Sequence, residues 1–454
     1  MFPFSQRSLA SSVSLVLIIF IVGQPVFTGM TFAQGPPSQI ITPGGKVIVP
    51  PSSVEQDSDE GFRAHTNHII FLSDKPQVTG SVPAGENPGS LACVYNIVNP
   101  SLNPGCLSNP SSTTFANPIG GSGTIVIVDA YDYPTAYADL TAFSNQFGLP
   151  VPPLCNGSNA PCFAISYASG QKPSVNCGWN QEAALDIEWA HAMAPGASIV
   201  LVEAASSSFS DLLTGVDAAT SIIQNGVVNP GSTTGQVSMS WGGNEFRGET
   251  SYDYHFDHKG VAYFAAAGDT AGKTIWPGVS PNVVSAGGTR VNRDSSGNFI
   301  SESAWSRETC GGGPCGGGGG PSRYESRPSY QDAVSSIVGR SRGTPDFSFD
   351  GDPYTGVSVY GPMCSGSNPS AWMVFGGTSV SSPALAGIVN LAGHNQDTGS
   401  KASSFAEQRS IYTGYPNYGS STFRDITSGN NGYAAQSGWD FATGIGSDQG
   451  LTGK

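Results

Sequence analysis

Charge is what this sequence lacks most. Asp, Glu, Lys and Arg make up 11% of its 454 residues, against about 25% in ordinary soluble domains. Only 19 residues are Lys or Arg, and with 33 Asp and Glu the formal net charge is −14. No basic run occurs, and an acidic chain repels phosphate backbones, so nucleic acid is not an expected partner. A protein with few cations also gathers little positive self-repulsion when its carboxylates protonate, which suits an acidic milieu. Long apolar runs are missing too. The stretch at 13–22 (VSLVLIIFIV) falls short of the roughly 20 residues that a spanning helix needs, so no stable membrane anchor is expected. There is no CxxC pair, no HExxH and no GxxxxGK[ST], which removes the common zinc and phosphate-loop signatures.

What is present is Gly (60 residues) and Pro (33), a composition that suits a loop-rich extracellular protein and argues against a coiled coil or helical bundle. Arg7, the apolar run at 13–22 and the small residue ending 31–33 (TFA) read as a signal peptide over 1–33, with cleavage before Gln34. The expected location is extracellular, in an acidic environment. Eight cysteines behind a signal peptide point to disulfides. Their number leaves 105 pairings open; the local pairs Cys93–Cys106, Cys155–Cys162 and Cys310–Cys315 are favoured, leaving Cys177 with Cys364.

Residues 34–90 are rich in Pro, Gly and Ser with little periodicity and are expected to form an extended, partly disordered leader. From about residue 91 onward, short β-branched runs alternate with amphipathic stretches. That pattern predicts an α/β domain with a mostly parallel sheet flanked by helices. Strands are expected at 124–129, 198–203, 236–241, 261–266 and 282–286, and helices at 136–147, 180–194, 210–224 and 379–394. The segment 310–321 (CGGGPCGGGGGP) reads as a mobile connector.

The chemistry gathers in four places. At 375–383 (FGGTSVSSP) a tight Gly-Gly-Thr turn leads Ser379 into an apolar helix, where free backbone N–H groups favour a developing oxyanion. A nucleophilic serine needs a base. None of the six histidines lies in a Gly-flanked motif: His65 and His68 fall in the leader, His191 sits in a helix, His394 closes the helix of Ser379, and His255 and His258 form HFDH, a spacing compatible with a metal contact. Carboxylates are the better candidates. Glu182 and Asp186 in QEAALDIEWAHAMAPGA stand i,i+4 on one helix face, close enough for their titrations to split. Asp269 ends the apolar run YFAAAGD, at a strand end where sites form in α/β sheets.

Taken together, GGTSVSSP, EAALD in place of a histidine motif, and AAAGD resemble the sedolisin (serine-carboxyl peptidase) family, as do VDAYD at 128–132 and SMSWGG at 238–243. The resemblance runs from about Tyr95 to Ser447. It implies a subtilisin-like three-layer α/β fold and a secreted, acid-acting endopeptidase, monomeric, with polypeptide substrates. In this resemblance Ser379 is the nucleophile, Glu182 its base, Asp186 the supporting acid and Asp269 the oxyanion-hole acid. Asp129 and Trp241 stand behind the carboxylates, and Trp241, Gly242 and Gly243 edge the substrate cleft. FRDITS at 423–428 and GWDFATGIG at 438–446 match the segment that binds one Ca²⁺ in this family. The ligands implied are Asp425, Asp440 and the carbonyls of Ile426, Gln436 and Gly438, a hard-oxygen set suited to calcium. The leader departs from the family by being shorter than a folded propeptide. Alternatives are a tripeptidyl-exopeptidase of the same family, a His-dependent subtilisin-like peptidase, and a non-catalytic secreted calcium-binding or adhesion protein on the same fold.

Overall fold

The computed structural model describes residues 38–42, 45–73, 78–79, 82–98, 116–157, 161–310, 313–393, 405–416 and 422–454. Residues 1–33, expected above to be a signal peptide, and Cys106 and His394 lie outside them. Every element that follows belongs to the unit Pro36–Lys454.

In chain order the elements that carry the site are β1 (Gly45–Val49), β2 (His65–Thr66), β3 (Ile69–Ser73), β4 (Thr124–Ala130), α1 (Ala136–Phe147), β5 (Phe163–Tyr167), α2 (Cys177–Met193), β6 (Ser198–Ala204), α3 (Phe209–Gln224), β7 (Gly235–Met239), β8 (Trp241–Asn244), β9 (Val261–Ala266), β10 (Val283–Arg293), β11 (Phe347–Asp350), β12 (Val357–Pro362), β13 (Ser370–Gly376) and α4 (Thr378–Ala392). Seven of them run parallel in one sheet, ordered β5-β6-β4-β7-β9-β10-β11. This is the α/β architecture that the sequence pattern predicts. The strands are apolar on both faces because both faces are covered. Ile125, Ile127, Ile199 and Leu201 pack in the same core as the residues of α1, α2 and α4. Val126, Val128, Val200 and Val202 pack with Leu212, Val216 and Ile223 of α3. Three layers follow from that alternation.

The chain starts the sheet at β4, builds β6 and β5 to one side, and returns to build β7 onward to the other. The crevice beyond the carboxyl ends of β4 and β7 is therefore the topological switch point, where α/β sheets place their sites. Helix α2 has no solvent face; all its residues from Gly178 to Met193 are buried. That explains its weak amphipathic pattern, and it makes any carboxylate on α2 a buried one.

The leader reading of 34–90 is corrected by the structure. β1 pairs with β3, and β3 pairs with β13 next to β12, so residues 45–49 and 69–73 are built into a second sheet, and β2 pairs with β8 in a third. The helix Pro88–Val94, capped by Asn87, also spans the expected boundary at 91. The apolar runs KVIV and IIFL carry these strands, and the Pro- and Gly-rich stretches between them hide the signal.

The Gly-rich segment is not a loose connector either. Cys310 and Cys315 are joined across a short hairpin, and Cys155–Cys162 and Cys177–Cys364 are bonded as expected. Gly316 and Gly318 donate to the carbonyls of Asp269 (3.1 Å) and Gly268 (2.7 Å). A Cβ at Gly318 would collide with the Ala267 carbonyl, so glycine here lets backbone pack on backbone.

Candidate active site

The side chains singled out in the sequence converge on the switch-point crevice. Ser379 is the second residue of α4, fully buried, with its Oγ donating to the Ser240 carbonyl at 3.1 Å. Gly377, at φ 107°, turns the chain into the helix, and a Cβ there would strike both the Asn67 carbonyl and Asp269 Oδ2. Pro383 lies inside α4 and cannot supply the N–H that would ordinarily bond the Ser379 carbonyl. Ser240 Oγ lies 3.3 Å from that carbonyl and 2.8 Å from Asp186 Oδ1. Ser240 thus ties the nucleophile's backbone to the carboxylate pair. It occupies the break between β7 and β8, where a single continuous strand over 236–241 is expected from sequence.

Glu182 and Asp186 lie one turn apart on α2, both fully buried. Asp129, at the carboxyl end of β4, joins them. Glu182 Oε1, Asp186 Oδ2 and both Asp129 oxygens have no hydrogen-bond partner among the described residues. Burial, then the neighbouring Glu182 and Glu203, raise the Asp129 carboxyl well above its usual range. Burial, then Asp129 and Glu182, do the same to Asp186, with Ser240 opposing them. Asp129 and Asp186 therefore keep protons at a pH where ordinary carboxylates have lost them.

Glu203 is a member that sequence reasoning missed. It lies in register with Asp129 on β6, accepts from the Tyr133 backbone N–H at 2.9 Å, and is pushed by burial to about 8. Its signal was in the sequence, a lone acid ending a buried β-branched run. Glu188 is also buried and accepts from the Tyr360 N–H at 3.0 Å, a structural role.

Asp269 faces the same point from the end of β9. Its Oδ1 accepts from the Thr378 N–H (2.7 Å) and hydroxyl (2.9 Å), while Oδ2 has no partner. Burial raises its carboxyl well above the usual range, against the two bonds from Thr378. A protonated acid fixed through one oxygen presents the other as a donor.

Trp241 does not touch the carboxylates through its indole N–H, which donates to the Val128 carbonyl at 2.8 Å. Its part in the site is through backbone. Trp241 and Gly242 pair antiparallel with Thr66 and His65, and Gly243 pairs with Trp276. The cleft edge predicted at 241–243 therefore carries a strand of this same chain. On the other side Arg63 bridges Ser208, with Ala64 N donating to the Ser207 carbonyl and Phe209 N to the Phe62 carbonyl, both at 2.9 Å. Asn67 N lies 3.1 Å from the Ser240 carbonyl, and the Asn67 carbonyl accepts from Ser379 N at 3.0 Å. His68 Nδ1 lies 2.8 Å from Glu182 Oε2, and its ring stacks on Phe375 with centroids 5.2 Å apart. Local sequence gives His65 and His68 no role, since they fall among leader-like residues; the HTNH run at 65–68 is the only signal they carry. His255 pairs with Asp217 instead (2.7 Å), and the His191 ring nitrogen lies 2.9 Å from the Pro150 carbonyl.

In the loop implied for calcium, Asp425 and Asp440 both accept from the 436–438 backbone. Asp425 accepts from Gly438 N at 3.1 Å and Asp440 from Gln436 N at 2.8 Å, with Ile426 buried beside them. Two carboxylates and a run of nearby backbone carbonyls fit a hard cation in chemical kind. Among the described residues no group of three or more His, Cys, Asp or Glu side chains forms a metal cluster, so most of the donors would be backbone oxygens.

No protein-family model matches the chain. Among curated proteins it is 38% identical over 180 residues to sedolisin of Pseudomonas sp. (strain 101), covering 38% of this chain and 28% of that protein. It is 31% identical over 319 residues to kumamolisin of Bacillus sp. (strain MN-32), covering 63% of this chain and 52% of that protein. The chain thus spans about half, or less, of the curated relatives it matches. Among solved structures, that of Pseudomonas sedolisin, a serine-carboxyl proteinase complexed with pseudo-iodotyrostatin, aligns with a TM-score of 0.60 at 25% identity, over 80% of this chain and 95% of that one.

Proposed function

We propose that this chain, which belongs to the sedolisin family and has its subtilisin-like fold, is a serine-type endopeptidase working at acid pH. One observation carries the reading: an extended peptide lies antiparallel on Trp241–Gly242 with its Asn67 carbonyl on the Ser379 N–H. That is how a substrate must sit to be attacked at a carbonyl.

With a substrate in that position, Ser379 Oγ attacks the peptide carbonyl and Glu182 takes its proton. Asp186 and Asp129 lie beside the base as carboxyls whose burial favours their protonated form. The oxyanion is met by the Ser379 N–H and by Asp269, which can donate only while protonated. Burial favours that form. A carboxylate base also suits acid, where a histidine base would be mostly protonated. The pairing runs back from Asn67 through 62–66, further than three residues before the reacting carbonyl, which favours internal cleavage over release of tripeptides. The test is hydrolysis of a denatured protein at about pH 4, with Ser379→Ala as the inactive control.

We further propose that the chain is secreted. The three described disulfides suit an oxidising compartment, and the secreted protein should begin at Gln34 or later. No helix among the described residues is long and apolar enough to cross a membrane. Asp425, Asp440 and the carbonyls of Ile426, Gln436 and Gly438 would hold one Ca²⁺, which when bound would neutralise two carboxylates and pin the C-terminal loop. Chelation should then lower Tm by about 5 °C, reversed by added Ca²⁺. Asp440→Ala should abolish the calcium-dependent part of Tm; a Tm indifferent to chelator removes calcium from the account.

A further inference from the structure

We infer that the hairpin closed by Cys310–Cys315, with the glycines that follow it from Gly316 to Gly319, is a positioning clamp on Asp269 and sets how well the site receives an oxyanion. The inference rests on the reading of Asp269 as an oxyanion donor and goes beyond it by naming the residues that aim it.

Asp269 is held in two places. Its side chain is fixed from α4, where Oδ1 accepts from the Thr378 N–H and hydroxyl (2.7 and 2.9 Å). Its backbone is fixed by the Gly-rich segment, because β9 ends at Ala266 and Gly268 turns the chain away at φ 106°. Gly316 N donates to the Asp269 carbonyl at 3.1 Å and Gly318 N to the Gly268 carbonyl at 2.7 Å. Further along, Gly272 N donates to the Gly317 carbonyl (3.2 Å) and Gly319 N to the Lys273 carbonyl (3.0 Å). Backbone bonds thus bracket Asp269 from 268 to 273 and take the place of the ladder that has ended. The clamp is itself anchored. Gly317 N donates to the Trp305 carbonyl (3.1 Å), Trp305 N to the Gly288 carbonyl of β10 (3.1 Å), and Asn431 Nδ2 to the Gly317 carbonyl (2.7 Å). Directly before Gly316, Cys315 is bonded to Cys310 across the antiparallel strands Glu308–Cys310 and Gly313–Cys315. Both cysteines are buried in one small core with Trp305, Val47 and Ile69. A Cβ on Gly318 would strike the Ala267 carbonyl, and one on Gly319 the Phe441 carbonyl. The disulfide fixes the entry to the clamp, and the glycines let it close to hydrogen-bonding distance.

The clamp acts on Asp269 in two ways. It aims Oδ2, which is covered and has no partner among the described residues, and a donor stabilises an oxyanion only where it is aimed beforehand. It also packs over the backbone of the loop, and burial is the first cause that keeps the carboxyl protonated. Glu182 on α2 adds to that effect, and the two bonds from Thr378 oppose it. Lys273, the cation of the same loop, is taken by Glu55 at 2.6 Å. A loosened clamp would therefore cost the donor its aim and, by admitting water, let it ionise at lower pH.

The experiment measures kcat and KM on denatured casein across pH 3 to 8 for the parent chain, for Cys310→Ser with Cys315→Ser, and for a second clamp variant, Gly318→Ala. Cys155→Ser with Cys162→Ser is the control, since it opens a loop of similar length (separation 7 against 5) beside the start of β5. Each chain is checked for folding by thermal melting. Expected at about pH 4 is a loss of about tenfold in kcat for both clamp variants, part of the roughly 100-fold or more that losing an oxyanion donor costs, with KM held within about twofold. Their activity should also fail about one pH unit below the point at which the parent's fails. The control should lose Tm and keep the parent's kcat and alkaline limit. In an Asp269→Ala chain the clamp variants should cost little further, because they act through Asp269. Three results would overturn the inference and leave the peptidase reading standing: clamp variants that keep the parent's kcat and alkaline limit, a control that loses as much, or a further tenfold loss in Asp269→Ala. If the folded parent is inactive, both fall. Should Gly318→Ala not fold, the serine pair decides.

Discussion

Glu182→Gln should lower kcat on a denatured protein on the order of 10⁴-fold or more, with stability changed by only about 1 kcal/mol. Glutamine keeps the shape and the hydrogen-bond length of glutamate but cannot accept a full proton at acid pH. The loss should appear in kcat rather than KM, because the peptide is bound by backbone pairing on Trp241–Gly242, which the substitution leaves alone. Removing Ser379 in addition should cost little more, since the two act as a unit. A Glu182→Gln chain retaining a tenth of the parent rate would mean that another group takes the proton. The carboxylates nearest to it, Asp186 and Asp129, are the ones to test next.

The second large effect is on pH. Both Tm and activity should fall as pH rises from about 4 to about 8. Burial raises Asp129, Asp186 and Asp269 well above the usual range, and brings Glu203 and Glu325 to about 8 and Glu249 to about 9. In the unfolded chain such groups titrate near about 4. A raised folded value means that the native state binds more protons, so the stability these groups contribute is fully present below about pH 4. It is lost as pH climbs through their folded values. A buried carboxyl that titrates tenfold less readily in the folded chain than in the unfolded one contributes about 1.4 kcal/mol, less where solvent screens it. A fall of about 10 °C or more in Tm across that window is expected. Activity should fall with it, because ionised Asp269 can no longer donate to the oxyanion. A Tm that is flat or rises between pH 4 and 8 contradicts the account of a proton-rich interior.

Much of the site was legible because its chemistry is local. Ser379 at a helix start, Glu182 and Asp186 at i,i+4 and Asp269 at a strand end are short-range patterns, and the fold brings all three to one crevice. The parallel sheet was legible for the same reason: β4, β6 and β9 are buried on both faces and read as short, largely apolar runs. What escaped depends on pairing across long sequence distances. Residues 45–73 look like a loose leader because each strand is short and set among Pro and Gly; only their partners β13 and β8 make them part of the body. Ser240 and Glu203 acquire meaning only once β7 is broken and β6 lies beside β4. The Gly-rich segment read as mobile because local composition cannot show that its glycines pack against the Gly268–Asp269 backbone.

The most direct test of the central claim is hydrolysis of a denatured protein across pH 3 to 8 by the mature parent chain beside Ser379→Ala. Activity peaking below about pH 5, and absent from the folded Ser379→Ala chain at every pH, is the predicted result. Equal activity in the two chains, or a folded parent inactive throughout, would contradict it.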